Sequence, residues 1–382
     1  MADLERIAMI EADNLFAMAF VLSGLAFFGF WIDGTELGKK TSGVVWIILL
    51  GVLLSNTGII PAKSQAYDFV GGVLMPMAIP LLLIKADLRR IFRESGRVML
   101  GFGIAAVSTI IGAMLGYVLL DLGDIGPKVA AVYTAGWIGG AVNFVAVSEA
   151  MAMTPDEFSV AMGASSPVSV IALMALLMLP SIKMIRMWLP SALIETEDEG
   201  GQDLQLKIDD MPLVQTIGLI TLSAGICGVS QFISGLLASP QYYVLVITVL
   251  TLVLANVFPS QMAKLRGEFS IAMLLMYLFF AAIGCTTDAT SFLGSAVILF
   301  VYGLMIIVIH LVSVVLISRL FHLDLAEVVI ASAAALVGPA PAAAIASARR
   351  WPTLVTPAVM CGIFGYAVAN FIGVAIGSSL GG

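Results

Sequence analysis

The chain has 382 residues, of which 60% are hydrophobic and only 11% are charged, and its formal net charge is −7. This composition excludes an ordinary soluble globular domain and predicts an integral membrane protein that lies in the lipid bilayer. Because the charge balance is acidic and no long basic tract is present, we expect no binding to nucleic acid.

Long apolar segments follow one another along the whole chain. Ten of them are long enough for a helix to cross about 30 Å of hydrocarbon. These ten cover residues 14–31, 43–60, 67–84, 98–120, 158–179, 213–237, 242–258, 269–285, 292–317 and 354–376. Segments 129–151 and 325–348 differ, because GWIGG and VGPAP interrupt them halfway. The sequence therefore predicts an all-α integral membrane fold with about ten transmembrane helices and two re-entrant or broken helical hairpins.

The two halves of the chain have related patterns. Residues 191–212 are polar and predict a linker between a first transmembrane repeat, residues 1–190, and a second, residues 213–382. Four pairs of like residues recur at a nearly constant spacing, which are Asn56 with Asn256, Asp87 with Asp288, Gly139 with Gly338, and Gly163 with Gly362. Matching breaks and helix ends are typical of an internally duplicated transporter.

The distribution of positive charge depends on whether the interrupted segments cross the membrane. If both cross, the 18 Lys and Arg residues divide evenly between the two sides. If both dip in and return, only Arg6, Lys63 and Lys128 face one side, and all the others face the opposite side. The positive-inside rule then favours two inverted five-helix repeats in the plasma (inner) membrane, with both termini outside and the linker in the cytoplasm.

The interrupted helices are the predicted substrate site. Backbone groups left unpaired at membrane depth cost several kcal/mol and persist only where protein, water or a ligand satisfies them. We therefore expect the substrate to contact Gly139, Gly140 and Asn143 in the first hairpin, and Gly338 and Pro339 in the second. The alternative is that the glycines only allow helices to approach closely.

A coupling cation is the other expected ligand, because free carbonyls and side-chain oxygens near broken helices can bind Na⁺. No metal cluster or other cofactor is expected, since the three cysteines lie far apart inside apolar segments. The candidate cation-binding or coupling residues are Thr134, Asn143, Ser148, Asn56, Asn256 and Asp288. For Asn56 and Asn256, which end long helices, the alternative is a helix cap.

The duplication and the paired breaks together favour a secondary transporter rather than an enzyme. A primary pump would need a phosphate-binding loop, and GTELGKKTSG lacks the required spacing. A channel-like or structural bundle remains an alternative, because a pore also uses re-entrant breaks. An intramembrane enzyme is the other alternative, suggested only by Asp68 and Asp124, which the segment order places at the membrane surface.

Two motifs carry a family resemblance. At GWIGGAVNFVAVSEA and ASAAALVGPAPAAAIASARRW the chain resembles the membrane proteins grouped as domain of unknown function 819 (DUF819). In that family the first motif reads roughly T-G-G-S-V-N-F, so Gly139, Gly140, Asn143 and Phe144 match, whereas Ile138 and Ala141 replace small hydroxyl residues. The second motif is commonly G-G-P after asparagine. Gly338 and Pro339 match it, Val337 stands for the first glycine, and alanines stand for the asparagine.

The arrangement is more distantly similar to sodium-coupled glutamate and citrate carriers. Their two inverted five-helix domains each bear a glycine-rich re-entrant loop. This similarity implies an elevator-type carrier of a small organic anion or amino acid, coupled to Na⁺ or H⁺, and a homodimer formed by scaffold helices. Architecture alone does not establish the substrate.

Overall fold

The computed structural model describes residues 9–35, 43–195, 212–237, 242–287, 289–349 and 351–381. Within these ranges the chain is helical and contains no strand, which confirms the all-α prediction. Asp288 and most of the predicted linker lie outside the described residues. The division into a first repeat, a linker and a second repeat therefore stays a prediction.

The first half contains seven main helices. They are α1 (Leu15–Asp33), α2 (Gly43–Asn56), α3 (Gln65–Leu83), α4 (Leu88–Leu119), α5 (Gly126–Gly139), α6 (Ala141–Ala150) and α7 (Pro155–Met178). Short 3-10 turns occupy Gly123–Ile125 and Leu179–Ser181, and short helices occupy Lys183–Trp188 and Ala192–Glu195.

The second half repeats this order. Its helices are α8 (Leu213–Leu236), α9 (Tyr243–Val257), α10 (Glu268–Thr286), α11 (Ala289–Leu320), α12 (Leu325–Leu336), α13 (Pro339–Ala348) and α14 (Pro352–Ser379). A single short turn of helix, Pro259–Met262, follows α9. The same sequence of long and interrupted helices thus occurs twice along the described chain.

Eight of the described helices are long and apolar enough to cross a membrane. They match eight of the ten predicted spans, and the shorter helices α2 and α9 match the other two. Helix α2 is shorter than its apolar segment because the chain leaves the helix after Asn56 and passes through Gly58, whose φ is 77°. A positive φ cannot continue a right-handed helix.

Two long helices are irregular. Helix α3 contains a π-helical turn at Val70–Leu74 and carries Pro80 in its second part. Helix α4 bends at Gly96, where φ is 52°. The bend separates the charged first two turns, capped by the Asp87 side chain, from the long apolar part of the helix.

The helices form two groups that each pack mainly within themselves. The hairpin set consists of α4, α5, α6, α7, α11, α12, α13 and α14. The flanking set consists of α1, α2, α3, α8, α9 and α10. The chain passes from the flanking set to the hairpin set at two connectors, one at residues 84–87 and one that begins after Thr286.

Helices α5 and α6 form a re-entrant hairpin, here called hairpin 1. Lys128, near the start of α5, donates to the carbonyl of Ala152, just after α6, over 3.1 Å. It also pairs with Glu157 at the start of α7, at 3.0 Å. Both ends of the hairpin therefore lie close together at one surface, called the Lys128 face, as a re-entrant hairpin requires.

Helices α12 and α13 form hairpin 2, which enters from the opposite surface. Glu327, in the first turn of α12, pairs with Arg97 at 3.3 Å. Arg349, just after α13, donates to the carbonyl of Leu177 over 2.7 Å. Arg97 and Leu177 lie at the ends of α4 and α7 that are remote from Lys128. This surface is called the Arg97 face.

Candidate functional site

The tips of the two hairpins meet at one side chain, Tyr366 of α14. Each tip is a glycine with positive φ, 81° at Gly140 and 91° at Gly338. A Cβ atom on Gly140 would lie 3.5 Å from the Tyr366 ring, and one on Gly338 would lie 3.5 Å from its hydroxyl oxygen. The predicted substrate residues of both motifs are therefore brought together, although they lie on hairpins from opposite faces.

Glycines of α14 allow the tips to approach so closely. Gly362 packs directly against Pro339, because an added Cβ would lie only 2.6 Å from the proline ring. Gly365 packs against the carbonyl of Ile138, in the last turn of α5. Sequence reasoning identified Gly362 only as a repeat position and missed Gly365 and Tyr366, since small residues in an apolar helix indicate no more than close packing.

Asn143, in the first turn of α6, is the centre of a buried polar network. Its Nδ2 donates to the carbonyl of Tyr366 over 2.9 Å and to Oδ1 of Asn370 over 2.7 Å. Asn370 in turn donates to the hydroxyl of Thr248 on α9, over 3.1 Å. Oδ1 of Asn143 is buried and has no hydrogen-bond partner among the described atoms.

Asn370 and Thr248 are functional candidates that the sequence reasoning missed. Asn370 is a polar residue deep in the apolar segment 354–376, which is a usable signal because polar groups in membrane helices are costly. Thr248 gives no such signal. Its hydroxyl also bonds to Val244 of its own helix, as threonines in membrane helices commonly do.

A cavity of about 360 Å³ lies between the two tips. Hairpin 1 contributes Gly140, Ala141 and Phe144, and hairpin 2 contributes Leu336, Val337 and Pro341. Hairpin 1 also contributes Tyr133 and Trp137, and the remaining wall includes three serines of α7 and, from the flanking set, Asp33 and Val44. The volume falls within the range of small-molecule sites.

The three serines, Ser165, Ser166 and Ser169, all donate to main-chain carbonyls. Ser165 and Ser166 bond to Met162 over 3.0 Å and 2.8 Å, and Ser169 bonds to Ser165 over 3.1 Å. Trp137 Nε1 donates to the Ser169 hydroxyl over 3.0 Å. The stretch GASSPVS, with serines and a proline inside an apolar segment, was a signal in the sequence that the site prediction did not use.

Asp33, at the end of α1, supplies the one carboxylate among the described residues that line the cavity. The side chain accepts from the backbone N–H of Gly43 and from the hydroxyl of Tyr277. It therefore joins α1 to α2 and α10 while one side faces the cavity.

Thr134 and Ser148, two of the candidate cation residues, are buried within hairpin 1. The Thr134 hydroxyl donates to the carbonyl of Ala130 over 2.7 Å, and the Ser148 hydroxyl donates to that of Val145 over 2.7 Å. Neither residue is among those that line the cavity. Their part in binding a cation stays a prediction.

Asn56 and Asn256 occupy equivalent places at opposite faces. Asn56 donates to the carbonyl of Thr287 over 2.8 Å, at the connector into α11. Asn256 donates to the carbonyl of Ala86 over 3.0 Å and accepts from the N–H of Leu88 over 2.9 Å, at the connector into α4. Each asparagine thus contacts the connector in the other half of the chain, and the two do not share one site.

His310 of α11 forms a second buried polar cluster. Its Nδ1 lies 2.9 Å from the Thr109 hydroxyl on α4, and its Nε2 lies 3.3 Å from the Ser332 hydroxyl on α12. The cluster fixes hairpin 2 to α4 and α11, because each of the three helices contributes one side chain.

No group of three or more His, Cys, Asp or Glu side chains in the described ranges could hold a metal ion. Cys227, Cys285 and Cys361 are buried and form no disulfide bond.

Comparison with known proteins gives a family match and a membrane-protein relative. A family model described as "Protein of unknown function (DUF819)" matches residues 19–381, a range that includes both hairpins. The chain is also 29% identical over 364 residues to "Uncharacterized membrane protein YjcL" of Bacillus subtilis (strain 168). That alignment covers 89% of this chain and 90% of the relative.

Proposed function

The chain belongs to the DUF819 family, as its two glycine motifs predicted, and we propose that it is a secondary active transporter of a small organic solute. The observation that supports this proposal best is the cavity between two hairpin tips that enter from opposite faces. A site bounded by one hairpin from each side can exchange its solute with either side if the hairpins or their surroundings move.

The chemistry of the tips supports solute binding at this depth. The break at Gly140 leaves the N–H of Ala141 and carbonyls at the end of α5 without partners in their own helices. Hydrocarbon cannot satisfy these groups, whereas a bound solute or ion can. Solute binding would therefore explain why both membrane helices are interrupted.

Division into two helix sets supports alternating access of the elevator type. The hairpin set carries both tips and most of the cavity wall, and the flanking set would act as the scaffold. Asn56 and Asn256 hold the two connectors between the sets, so they are positioned to be hinge anchors. Displacement of the hairpin set against the flanking set would carry the solute across the membrane.

Coupling to Na⁺ or H⁺ is part of the proposal. For Na⁺, the buried and unpartnered Oδ1 of Asn143 is the oxygen that the described residues leave open beside hairpin 1. Thr134 and Ser148 could add hydroxyl oxygens from the same hairpin. For H⁺, His310 is the one fully buried histidine of the described residues.

Orientation and assembly follow from charge and from exposed apolar surface. We place the Arg97 face in the cytoplasm of the plasma membrane, with both termini outside, because most Lys and Arg residues lie on that side in a ten-pass topology. Helix α1 exposes Phe16 and Phe20, and α8 exposes Val214 and Phe232, to lipid or to a second copy. A homodimer through the flanking set would leave the hairpin set free to move.

Transport by the purified protein in liposomes tests the proposal. A panel of amino acids and small organic anions, with and without Na⁺, is first screened by thermal unfolding, because a ligand of the folded state raises stability by mass action. A solute that stabilises the protein should then show saturable uptake, and unlabelled solute inside the liposomes should accelerate entry of labelled solute. Uptake that neither saturates nor responds to trapped solute would indicate a channel instead.

A further inference from the structure

Several hydroxyl groups line the cavity between the tips, and each already donates its hydrogen to another group. The hydroxyls of Ser165, Ser166 and Ser169 donate to carbonyls of α7. Tyr133 donates to the carbonyl of Ala161 over 3.1 Å, and Trp137 donates to Ser169. Each hydroxyl oxygen keeps lone pairs that can accept a further hydrogen bond.

Asp33 adds a negative charge to the cavity wall. Among the described residues its side chain has two contacts, with the Gly43 N–H and the Tyr277 hydroxyl, and both come from neutral donors, which do not cancel the charge of the carboxylate. Among the described residues that line the cavity there is no Lys, Arg or His. An anion would therefore meet the Asp33 charge without a compensating cation from these residues.

Proline reduces the number of donors at the second tip. An anion at a helix N-terminus binds to free backbone N–H groups, but Pro339 and Pro341 have none in the first turn of α13. On hairpin 1 the N–H of Ala141 remains available. The tips thus present many acceptors and few donors to the cavity.

The aromatic side chains of the cavity wall also favour a positively charged solute. Tyr133 packs edge-on against Trp137, with ring centroids 4.8 Å apart, and lies 6.0 Å from Phe144. All three line the cavity. Aromatic faces attract organic cations, most strongly where water is excluded.

We propose that the solute held between Tyr133, Ser166 and Asp33 carries a protonated amine, which excludes organic anions that lack one. This inference rests on the proposed function and specifies its substrate class. The ammonium group donates to the serine oxygens and lies near the Asp33 carboxylate, and its carbon skeleton contacts the aromatic wall. A zwitterion can also direct its carboxylate to the Ala141 N–H.

Three compounds that share a phenylethyl group separate the possible charges. 2-Phenylethylamine carries the ammonium alone, phenylalanine carries both charges, and 3-phenylpropionate carries the carboxylate alone. Binding of each to the purified full-length protein is measured by the shift in thermal unfolding over a concentration series. We expect one or both amines to stabilise the protein, and we expect no effect of 3-phenylpropionate.

Variants of cavity residues test whether the amine binds in this cavity. Ser166→Ala removes one acceptor, and Asp33→Asn removes the charge but keeps an oxygen for the Gly43 N–H. Each should weaken amine binding about tenfold. Ser23→Ala is the matched control, because Ser23 also donates to a carbonyl of its own helix but lies on the exposed side of α1.

The outcomes distinguish this inference from the proposed function. Binding of phenylalanine alone identifies a zwitterion site, and binding of 2-phenylethylamine identifies a site that needs only the ammonium. Preference for 3-phenylpropionate, no binding of any of the three, or equal effects of Ser166→Ala and Ser23→Ala would overturn the amine inference. Saturable counterflow of an organic anion would overturn it as well, yet leave the transporter proposal standing.

Discussion

The side-chain amides of Asn143 and Asn370 lie 2.7 Å apart, Nδ2 to Oδ1, and both residues are almost fully buried. Asn143 belongs to hairpin 1 and Asn370 to α14, on which both hairpin tips rest. Through Asn370 the network reaches Thr248 in the flanking set. It is therefore a buried polar link between the two sets of helices, and displacement of one set against the other has to break it.

The link to Thr248 is expected to contribute measurably to stability. Thr248→Val keeps the shape of the side chain but leaves Nδ2 of Asn370 without its acceptor, which should lower the free energy of unfolding by about 1 kcal/mol. The measurement is chemical or thermal unfolding in detergent. Thr251→Val is the matched control, since Thr251 is equally buried on α9 but donates only within its helix, to Ile247. Equal effects of the two variants would contradict the link.

Asn56 and Asn256 are expected to act as connector anchors rather than as cation ligands. Asn256→Ala leaves the carbonyl of Ala86 and the N–H of Leu88 unpaired, which should destabilise the protein by about 1–3 kcal/mol. Because the contacts are with the main chain, the loss should be the same with and without Na⁺. Asn14→Ala, at an exposed helix cap, provides the reference. A loss confined to Na⁺-containing buffer would support the cation role instead.

Because hairpin 1 packs closely on α14 at Gly365, we expect this position to tolerate no side chain. Gly365→Ala places a Cβ against the carbonyl of Ile138, so we expect a lower unfolding temperature and reduced solute binding. Gly225→Ala on α8 is the control, because its Cβ would meet no atom within 4 Å. The control should be neutral or stabilising, since alanine favours the helix. A neutral Gly365→Ala would show that the tip is not held as closely as described.

If both ends of hairpin 1 lie at the Lys128 face, single cysteines placed before and after the hairpin should react from the same side of the membrane. Asp124 and Pro155, exposed residues before and after the hairpin, should react as cysteines with a membrane-impermeant thiol reagent from the same side. Lys183→Cys, after α7, should react only from the other side. The background lacks the three native cysteines, which are buried. Reaction of positions 124 and 155 from opposite sides would mean that the interrupted helix crosses the membrane.

The sequence predicted the hairpins because their tips depend on backbone conformation. Gly140 and Gly338 have positive φ, which other residues adopt only with strain, so the glycines are visible in the sequence itself. The unequal distribution of Lys and Arg then predicted that both segments return. Lys128 with Ala152, and Arg97 with Glu327, agree with that prediction in the structure.

The surroundings of the tips could not be predicted in the same way. Gly362 and Gly365 are indistinguishable in sequence from other glycines of apolar helices, and only the fold places them against Pro339 and Ile138. Thr248 and Thr251 show the same difficulty, because both bond to their own helix and only one also reaches Asn370. Side chains that act across long separations in sequence leave no local pattern to read.

The measurement that tests the central proposal most directly fills the cavity and follows transport. Ala141 is exposed to the cavity at the first turn of α6, so Ala141→Trp should occupy the solute's place without disturbing buried packing. Ala224→Trp, at an exposed position on α8, is the matched control. Both proteins are reconstituted into liposomes, and counterflow is measured with a solute that stabilises the unmodified protein. We predict that Ala141→Trp abolishes counterflow and that Ala224→Trp retains it; full transport by a folded Ala141→Trp protein would contradict the proposed site.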